Sequence, residues 1–272
     1  MKIKILVISL TRSPDRRLAI NSRLNALKLD FEFVDAIDAQ TLAETTIQKI
    51  QSAQRQRRDY GRKIGATEIA CAMSHGEAYQ KIIASQVDGG IILEDDAIIA
   101  DDFEPFINWL KAESTVPNGV WLLGGGEYLE KHVEKNYFDF AICSREPSAS
   151  DPKWGALMKI DQCFDHLARA CGYFIDRKTA EVLFEQNQPP VALADDWPFF
   201  IQKEWIRPYL CKPFLIKHPL VIDNQSLLQK DRANSPNNAN NKTKLSSRIK
   251  QLIGYYRIAY KIKVARHQRK YR

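Results

Sequence analysis

The sequence predicts an α/β fold, and three observations carry that reading. Short β-branched runs, Lys2 to Leu10, Phe31 to Ile37 and Ile91 to Leu93, alternate with stretches of helical period. The third run drives straight into three acids, Glu94, Asp95 and Asp96. Carboxylates at the end of a buried strand need a cation or a set of donors, because an unpaired charge in low dielectric is costly. In an open α/β sheet that strand end is where the ligand crevice lies.

The elements follow in order. Lys2 to Leu10 is a strand at the start of the fold. Ser13 and Pro14 supply an N-cap and an N1 proline, Asp15 suits the first turn, and Ile20, Leu24 and Leu27 space one apolar face of a helix. Phe31 to Ile37 is the second strand. This strand–helix–strand opening carries no G-x-G-x-x-G, so it does not read as an NAD site. Arg12, Arg16 and Arg17 cluster where the first loop enters the helix, with Ser9 and Leu10 just before them. They read either as contacts to a base, ribose or phosphate or as a solvated basic face.

Residues 41–63 are polar and basic and read as a helix or loop able to close over a crevice. Thr67 to Ile83 is a helix capped by Thr67, with Ile69, Met73, Tyr79 and Ile83 on its apolar side. His75 sits mid-helix among small residues that would let another group approach; a hydrogen-bonded core histidine is the plainer reading. Side chains alternate along a strand, so Glu94 and Asp96 share a face and Asp95 points to the other. That pair resembles a D-x-D site for a hard divalent cation, Mn²⁺ or Mg²⁺, carrying a diphosphate. An acidic turn is the bland alternative.

Phe103 to Ala112 reads as a helix and Val120 to Leu123 as a strand before Gly124, Gly125 and Gly126. Residues 128–160 read as irregular. Cys171 to Ile175 is a strand, Lys178 to Glu185 a helix, and Leu210 to Ile222 a strand pair. Asp195 and Asp196 form a second acid pair beside Trp197 and Pro198; they read as a proton acceptor or as a helix cap.

Composition bounds the function. The 272 residues are 44% hydrophobic and 27% charged, ordinary globular values. Five cysteines without a C-x-x-C indicate neither a disulfide framework nor a zinc ribbon, and five histidines without H-x-x-x-H argue against a zinc hydrolase. No apolar run reaches membrane-spanning length and the first strand follows no leader, so a reducing cytoplasm is expected. The net charge of +7 hides an asymmetry: from Arg232 onward there are twelve Lys and Arg and no Asp or Glu. Two units are therefore expected, a catalytic domain over residues 1–231 and a linker with a basic amphipathic tail over 232–272. Leu245, Ile249, Leu252, Ile253, Tyr256 and Tyr260 keep one apolar face on the tail helix, which suits an anionic membrane surface. No nucleic acid is expected, since interleaved aromatic platforms and zinc knuckles are missing from the sequence.

Seven stretches resemble glycosyltransferase family 25, the bacterial lipooligosaccharide galactosyltransferases: VISLTRSPDRR (7–17), FEFVDAIDA (31–39), GATEIACAMSH (65–75), ILEDDAII (92–99), CGYFIDRKTA (171–180), DDW (195–197) and DNQSLLQKDR (223–232). They stand in the family's order. The resemblance implies a GT-A-like nucleotide-sugar-binding fold with a mixed central sheet flanked by helices, a UDP-sugar donor and inverting transfer of galactose to a lipid-linked oligosaccharide acceptor. The acidic cluster adds Mn²⁺ or Mg²⁺, and the basic tail is expected to hold the chain on the cytoplasmic face of the inner membrane, where such an acceptor is presented. Asp96, with Asp95, is then the metal ligand. Ser9, Leu10, Arg12, Arg16, Arg17, His75, Glu94 and Asp95 fall on the nucleotide-sugar side. Asp196 is the general base with Asp195 second, and Asp223, Asn224, Gln225 and Ser226 close over the diphosphate or acceptor. Residues 41–63 and 128–160 match poorly, where an acceptor pocket would differ.

Overall fold

The computed structural model describes residues 1–124, 142–143, 146–162 and 167–218. The 223–226 segment and the 232–272 tail lie outside the described residues. Within them the chain forms a large mixed sheet flanked by helices, the α/β architecture the sequence implies.

The strands are β1 (Ile3–Ser9), β2 (Glu32–Asp35), β3 (Gly89–Glu94), β4 (Ile98–Ile99), β5 (Val120–Leu122), β6 (Ile142–Cys143), β7 (Ala149–Asp151), β8 (Gly155–Gln162), β9 (Gly172–Asp176), β10 (Pro208–Lys212) and β11 (Ile216–Lys217). The helices are α1 (Pro14–Ala26), α2 (Glu44–Arg57), α3 (Ala66–Ala84), α4 (Phe103–Ala112), α5 (Arg177–Asn187) and α6 (Trp197–Gln202). The main sheet runs β2-β1-β3-β9-β5-β10-β8-β6, with β7 on β8, and β4 pairs with β11 in a small sheet of its own. β1 is parallel to β2 and β3, and β5 to β10, whereas β9 is antiparallel to both β3 and β5 between them.

Alternation along the strands feeds two cores. Leu6, Ile8, Ile92, Tyr173 and Ile175 face one side with Ala78, Tyr79 and Ile82 of α3, Leu183 of α5 and Trp197 of α6. Ile5, Val7, Ile91, Leu93 and Phe174 face the other with Ile20 and Leu24 of α1 and Phe103, Phe106 and Ile107 of α4. Strands buried on both faces read as near-continuous apolar runs, which is why β1 and β3 stand out in the sequence.

Several expectations shift in detail. The polar 41–63 segment holds a full helix, α2, whose Ile47 and Ile50 pack with Ile64 and Ile69. Gly65, not Thr67, is the N-cap of α3, and Glu68 accepts from the Gly65 N–H at 2.9 Å. The stretch expected to be irregular contains β7 and the eight-residue β8. Of the stretch expected as a strand pair, the described part to residue 218 does hold two strands, but they do not pair with each other: β10 joins the main sheet and β11 turns away to β4. That turn is possible because two glycines lie beneath it. A Cβ on Gly124 would sit 2.6 Å from the Ile216 carbonyl oxygen, and one on Gly172 2.7 Å from Ile216 Cγ1. Leu215 and Ile216 both donate to the Leu123 carbonyl at 2.9 Å. This pins the chain so that His218 arrives at the end of β3.

Candidate active site

The carboxyl ends of β1 and β3, the segment after β2 and the first turns of α3 enclose a cleft of about 390 Å³. Glu94 continues the face of Ile92, toward α3, and Asp95 continues the face of Leu93, toward Ser9. Ser9 donates from its hydroxyl to Asp95 Oδ2 at 2.6 Å. Arg16, in the first turn of α1, bridges Asp95 and Asp96: its guanidinium lies 3.0 Å from Asp95 Oδ1 and 2.5 Å from Asp96 Oδ2. The Asp95 and Asp96 side chains are only 9% and 12% exposed.

Three carboxylates this close and this dry cannot all be ordinary. Burial pushes Asp95 up, against Ser9 and Arg16. Burial and the neighbouring Glu94 charge push Asp96 up, against Arg16 and His218. Glu94 moves the other way: burial raises it, but His75, His218 and Arg16 together more than offset this. Electrostatically the site is a well of negative charge that Arg16, His75 and His218 only partly balance.

Glu94, Asp96 and His218 bring one donor atom each within 4.8 Å of one another. Asp96 Oδ1 is buried and makes no hydrogen bond among the described residues. Two carboxylates and an imidazole suit Mn²⁺, and an orphaned buried oxygen is what a cation would satisfy. The residues therefore fit a divalent ion.

His75 fixes the α3 wall. Its Nδ1 lies 2.7 Å from the Tyr173 hydroxyl, which donates to the Tyr79 hydroxyl at 3.0 Å. Burial pushes both phenols up, so both stay protonated at neutral pH. The Nε2 of His75 faces Glu94 Oε1 at 3.5 Å.

The remaining sequence candidates divide. Leu10 and Arg12 line the cleft, and Arg12 pairs with Asp38, lowering that carboxyl. Arg17 is turned to the scaffold: it donates to the Ser9 carbonyl at 2.7 Å, pairs with Asp35 and covers the Phe33 ring at 4.9 Å. Asp195 and Asp196 are not among the cleft-lining residues. Asp195 accepts from the Arg169 N–H at 3.0 Å. Asp196 is the N-cap of α6, accepting from Phe199 N–H at 3.2 Å, and it also accepts from Arg58 Nε and the Tyr60 hydroxyl, both at 2.7 Å. Of the two readings the sequence allowed for that acid pair, the cap is what this geometry displays.

Sequence reading missed His218, Cys71, Tyr173 and Arg58. Cys71 and His75 were recoverable from their four-residue spacing on one helix face. His218 carried no local signal, because it reaches the site only through the β11 turn.

Rat "Probable inactive glycosyltransferase 25 family member 3" is 28% identical over 121 residues, 43% of this chain and 21% of that protein. Mouse inactive glycosyltransferase 25 family member 3 is 25% identical over 121 residues, 43% of this chain and 20% of that one. The chain thus spans about a fifth of the length of these curated relatives. The solved structure of A197 from STIV covers 81% of this chain and 86% of its own at 14% identity and a TM-score of 0.38, too loose to bear on function. The family described as glycosyltransferase family 25 (LPS biosynthesis protein) matches residues 2–197. The chain belongs to glycosyltransferase family 25.

Proposed function

We propose that this chain is an inverting glycosyltransferase that moves a hexose, galactose, from a UDP-sugar to a saccharide acceptor of lipooligosaccharide. The observation that carries the reading is the Asp96 oxygen left without a hydrogen bond beside Glu94, His218 and Arg16 at the end of β3. A bound Mn²⁺ or Mg²⁺ would neutralise the charge that develops on the departing UDP. In this reading Asp96 is its ligand, joined by Glu94 and His218 rather than by Asp95, whose oxygens serve Ser9 and Arg16.

Arg16 is placed to trade its carboxylates for the diphosphate when the donor arrives. Leu10, Arg12 and residues 36–40 form the wall suited to the base and ribose. The acceptor hydroxyl must give up its proton on the face opposite the leaving group. Asp196, with Asp195 second, holds that role only if Arg58 and Tyr60 release it as acceptor binds; otherwise it anchors the scaffold.

The acceptor is read from the family resemblance and the location from the basic tail. The proposal places the enzyme on the cytoplasmic face of the inner membrane, its tail on anionic headgroups, where a lipid-linked oligosaccharide is presented. No helix among the described residues is long and apolar enough to cross a membrane.

The test is a donor screen. The full chain is mixed with Mn²⁺, a lipooligosaccharide acceptor and each UDP-sugar in turn, and the product is read by mass. A single hexose gain with UDP-galactose, abolished by EDTA, supports the reading. No transfer and no UDP release with any UDP-sugar would withdraw it, and would align the chain with relatives whose names call them inactive.

A further inference from the structure

One pair of side chains lining the cleft is given no step in the transfer proposed above. Cys71 and His75 stand four residues apart on α3, so they project from one helix face. Both look across at Glu94, and the three offer a thiol, an imidazole and a carboxylate whose ligand atoms all lie within 4.8 Å of one another.

His75 is the informative member. Its side chain is 1% exposed, yet its Nε2 makes no hydrogen bond among the described residues. With the Tyr173 proton given to Tyr79, Nδ1 carries an imidazole hydrogen, and in the neutral ring Nε2 carries the lone pair. That lone pair faces a carboxylate, an arrangement that repels unless a proton or a metal ion lies between them. A ring nitrogen oriented through a hydrogen bond at its other nitrogen is the usual support of a metal-ligating histidine. The separation agrees as well. Two ligands on one tetrahedral zinc, with bonds of about 2.0–2.2 Å, stand about 3.3–3.5 Å apart; His75 Nε2 and Glu94 Oε1 are 3.5 Å apart.

We propose that Cys71, His75 and Glu94 form a second cation site, selective for zinc, with its fourth position open to the cleft. The thiolate sets the selectivity, since soft sulfur favours zinc over magnesium or manganese. The site adjoins the harder Glu94, Asp96 and His218 set and shares Glu94 with it. Glu94 thereby bridges two ions or is contested between them. The inference stands on these side chains and does not rest on the transferase reading.

The experiment uses the full chain, stripped of metal by a chelator and titrated with Co²⁺ in saturating Mg²⁺, which keeps the harder set occupied. The expected result is a thiolate-to-cobalt charge-transfer band with tetrahedral d–d intensity, bleached by one equivalent of Zn²⁺. Cys71→Ser should remove the charge-transfer band. His75→Ala should weaken Co²⁺ binding by more than the about 10–100-fold that attends loss of an outer-shell partner. Asp96→Asn should leave the band in place. As a measurement free of variants, Zn²⁺ should slow alkylation of Cys71 in the wild-type protein, located by peptide mass. No charge-transfer band in the wild type, a band that survives Cys71→Ser, or alkylation unaffected by Zn²⁺ would overturn the site and leave His75 and Glu94 as an ion pair only.

Discussion

Arg58 and Asp196 meet with Nε 2.7 Å from Oδ2, 138 residues apart in sequence. The contact ties the chain just after α2 to the first turn of α6, and Tyr60 reinforces it by donating to Asp196 while accepting from the Leu193 N–H at 3.0 Å. Asp196→Ala removes a helix cap and strands a guanidinium and a phenol at once. The expected loss is about 3 kcal/mol, the lower end for breaking a buried pair because Arg58 is one-third exposed. Denaturant unfolding measures it. Asp196→Asn keeps a capping oxygen but loses the charge that faces Arg58, and should cost about 1 kcal/mol. If that variant unfolds at the wild-type midpoint, binds UDP normally and loses kcat, Asp196 is the base after all.

Asp96→Ala should abolish metal-dependent turnover, because the leaving diphosphate loses its counter-charge. Removing one preorganised electrostatic group costs about 2.7–4 kcal/mol of transition-state stabilisation. Steady-state kinetics with and without EDTA test it, and near-normal activity in EDTA would remove Asp96 from the metal.

Arg16→Gln leaves Asp95 and Asp96 facing each other without their shared cation. In EDTA the variant should melt lower by about 2–4 °C for each kcal/mol lost. Mn²⁺ should then raise its melting temperature by more than it raises that of the wild type, since the ion takes over a charge the protein no longer supplies. An equal rise in both would show that Arg16 does not balance the acids.

Glu32 supplies a pH prediction away from the site. Its carboxylate lies 3.0 Å from Lys4 Nζ and also pairs with Lys81; Lys81 first, then Lys4, hold its pKa below 4.5. A depressed folded pKa stabilises the fold above the unfolded value and loses that contribution as pH falls through the folded one. Stability should therefore decline below about pH 4.5 with a Glu32-dependent component, and Glu32→Gln should flatten that part of the acid limb. The side chain is 41% exposed, so the effect stays under about 1 kcal/mol.

Truncation after Arg232 should end sedimentation with anionic vesicles while leaving transfer to a soluble sugar acceptor intact. Each basic group near such a surface contributes about 1 kcal/mol. Unchanged sedimentation, or an insoluble truncated protein, would assign the tail to the fold instead.

Legibility in the sequence tracked locality. β1, α1, β3 and the three acids were readable because each is written in a contiguous run whose chemistry conflicts with its surroundings unless it is a strand end. β8 was not, because GALMKIDQ mixes polar and apolar residues without a clean period and is held by pairing on both sides. The Asp195–Asp196 pair shows a different difficulty. Capping and proton transfer demand the same residue type at the same place, and the partners that display the cap, Arg58 and Tyr60, arrive from the loop after α2, far off in the sequence. His218 joined Asp96 through a turn that two distant glycines permit, a relation no window of sequence contains.

The position of β9 also dictates an order of events during synthesis. β3 and β5 are made first, yet they are not neighbours; the sheet between them waits for residues 172–176. A ribosome-bound or cleaved fragment ending near Gly124 would bear the three acids beside an open strand edge, without Tyr173 to hold His75. Bare edges invite pairing with other chains. Premature termination upstream of β9 should therefore yield aggregating fragments rather than partial enzymes, and the acidic site takes shape only when the late strand slides into its gap.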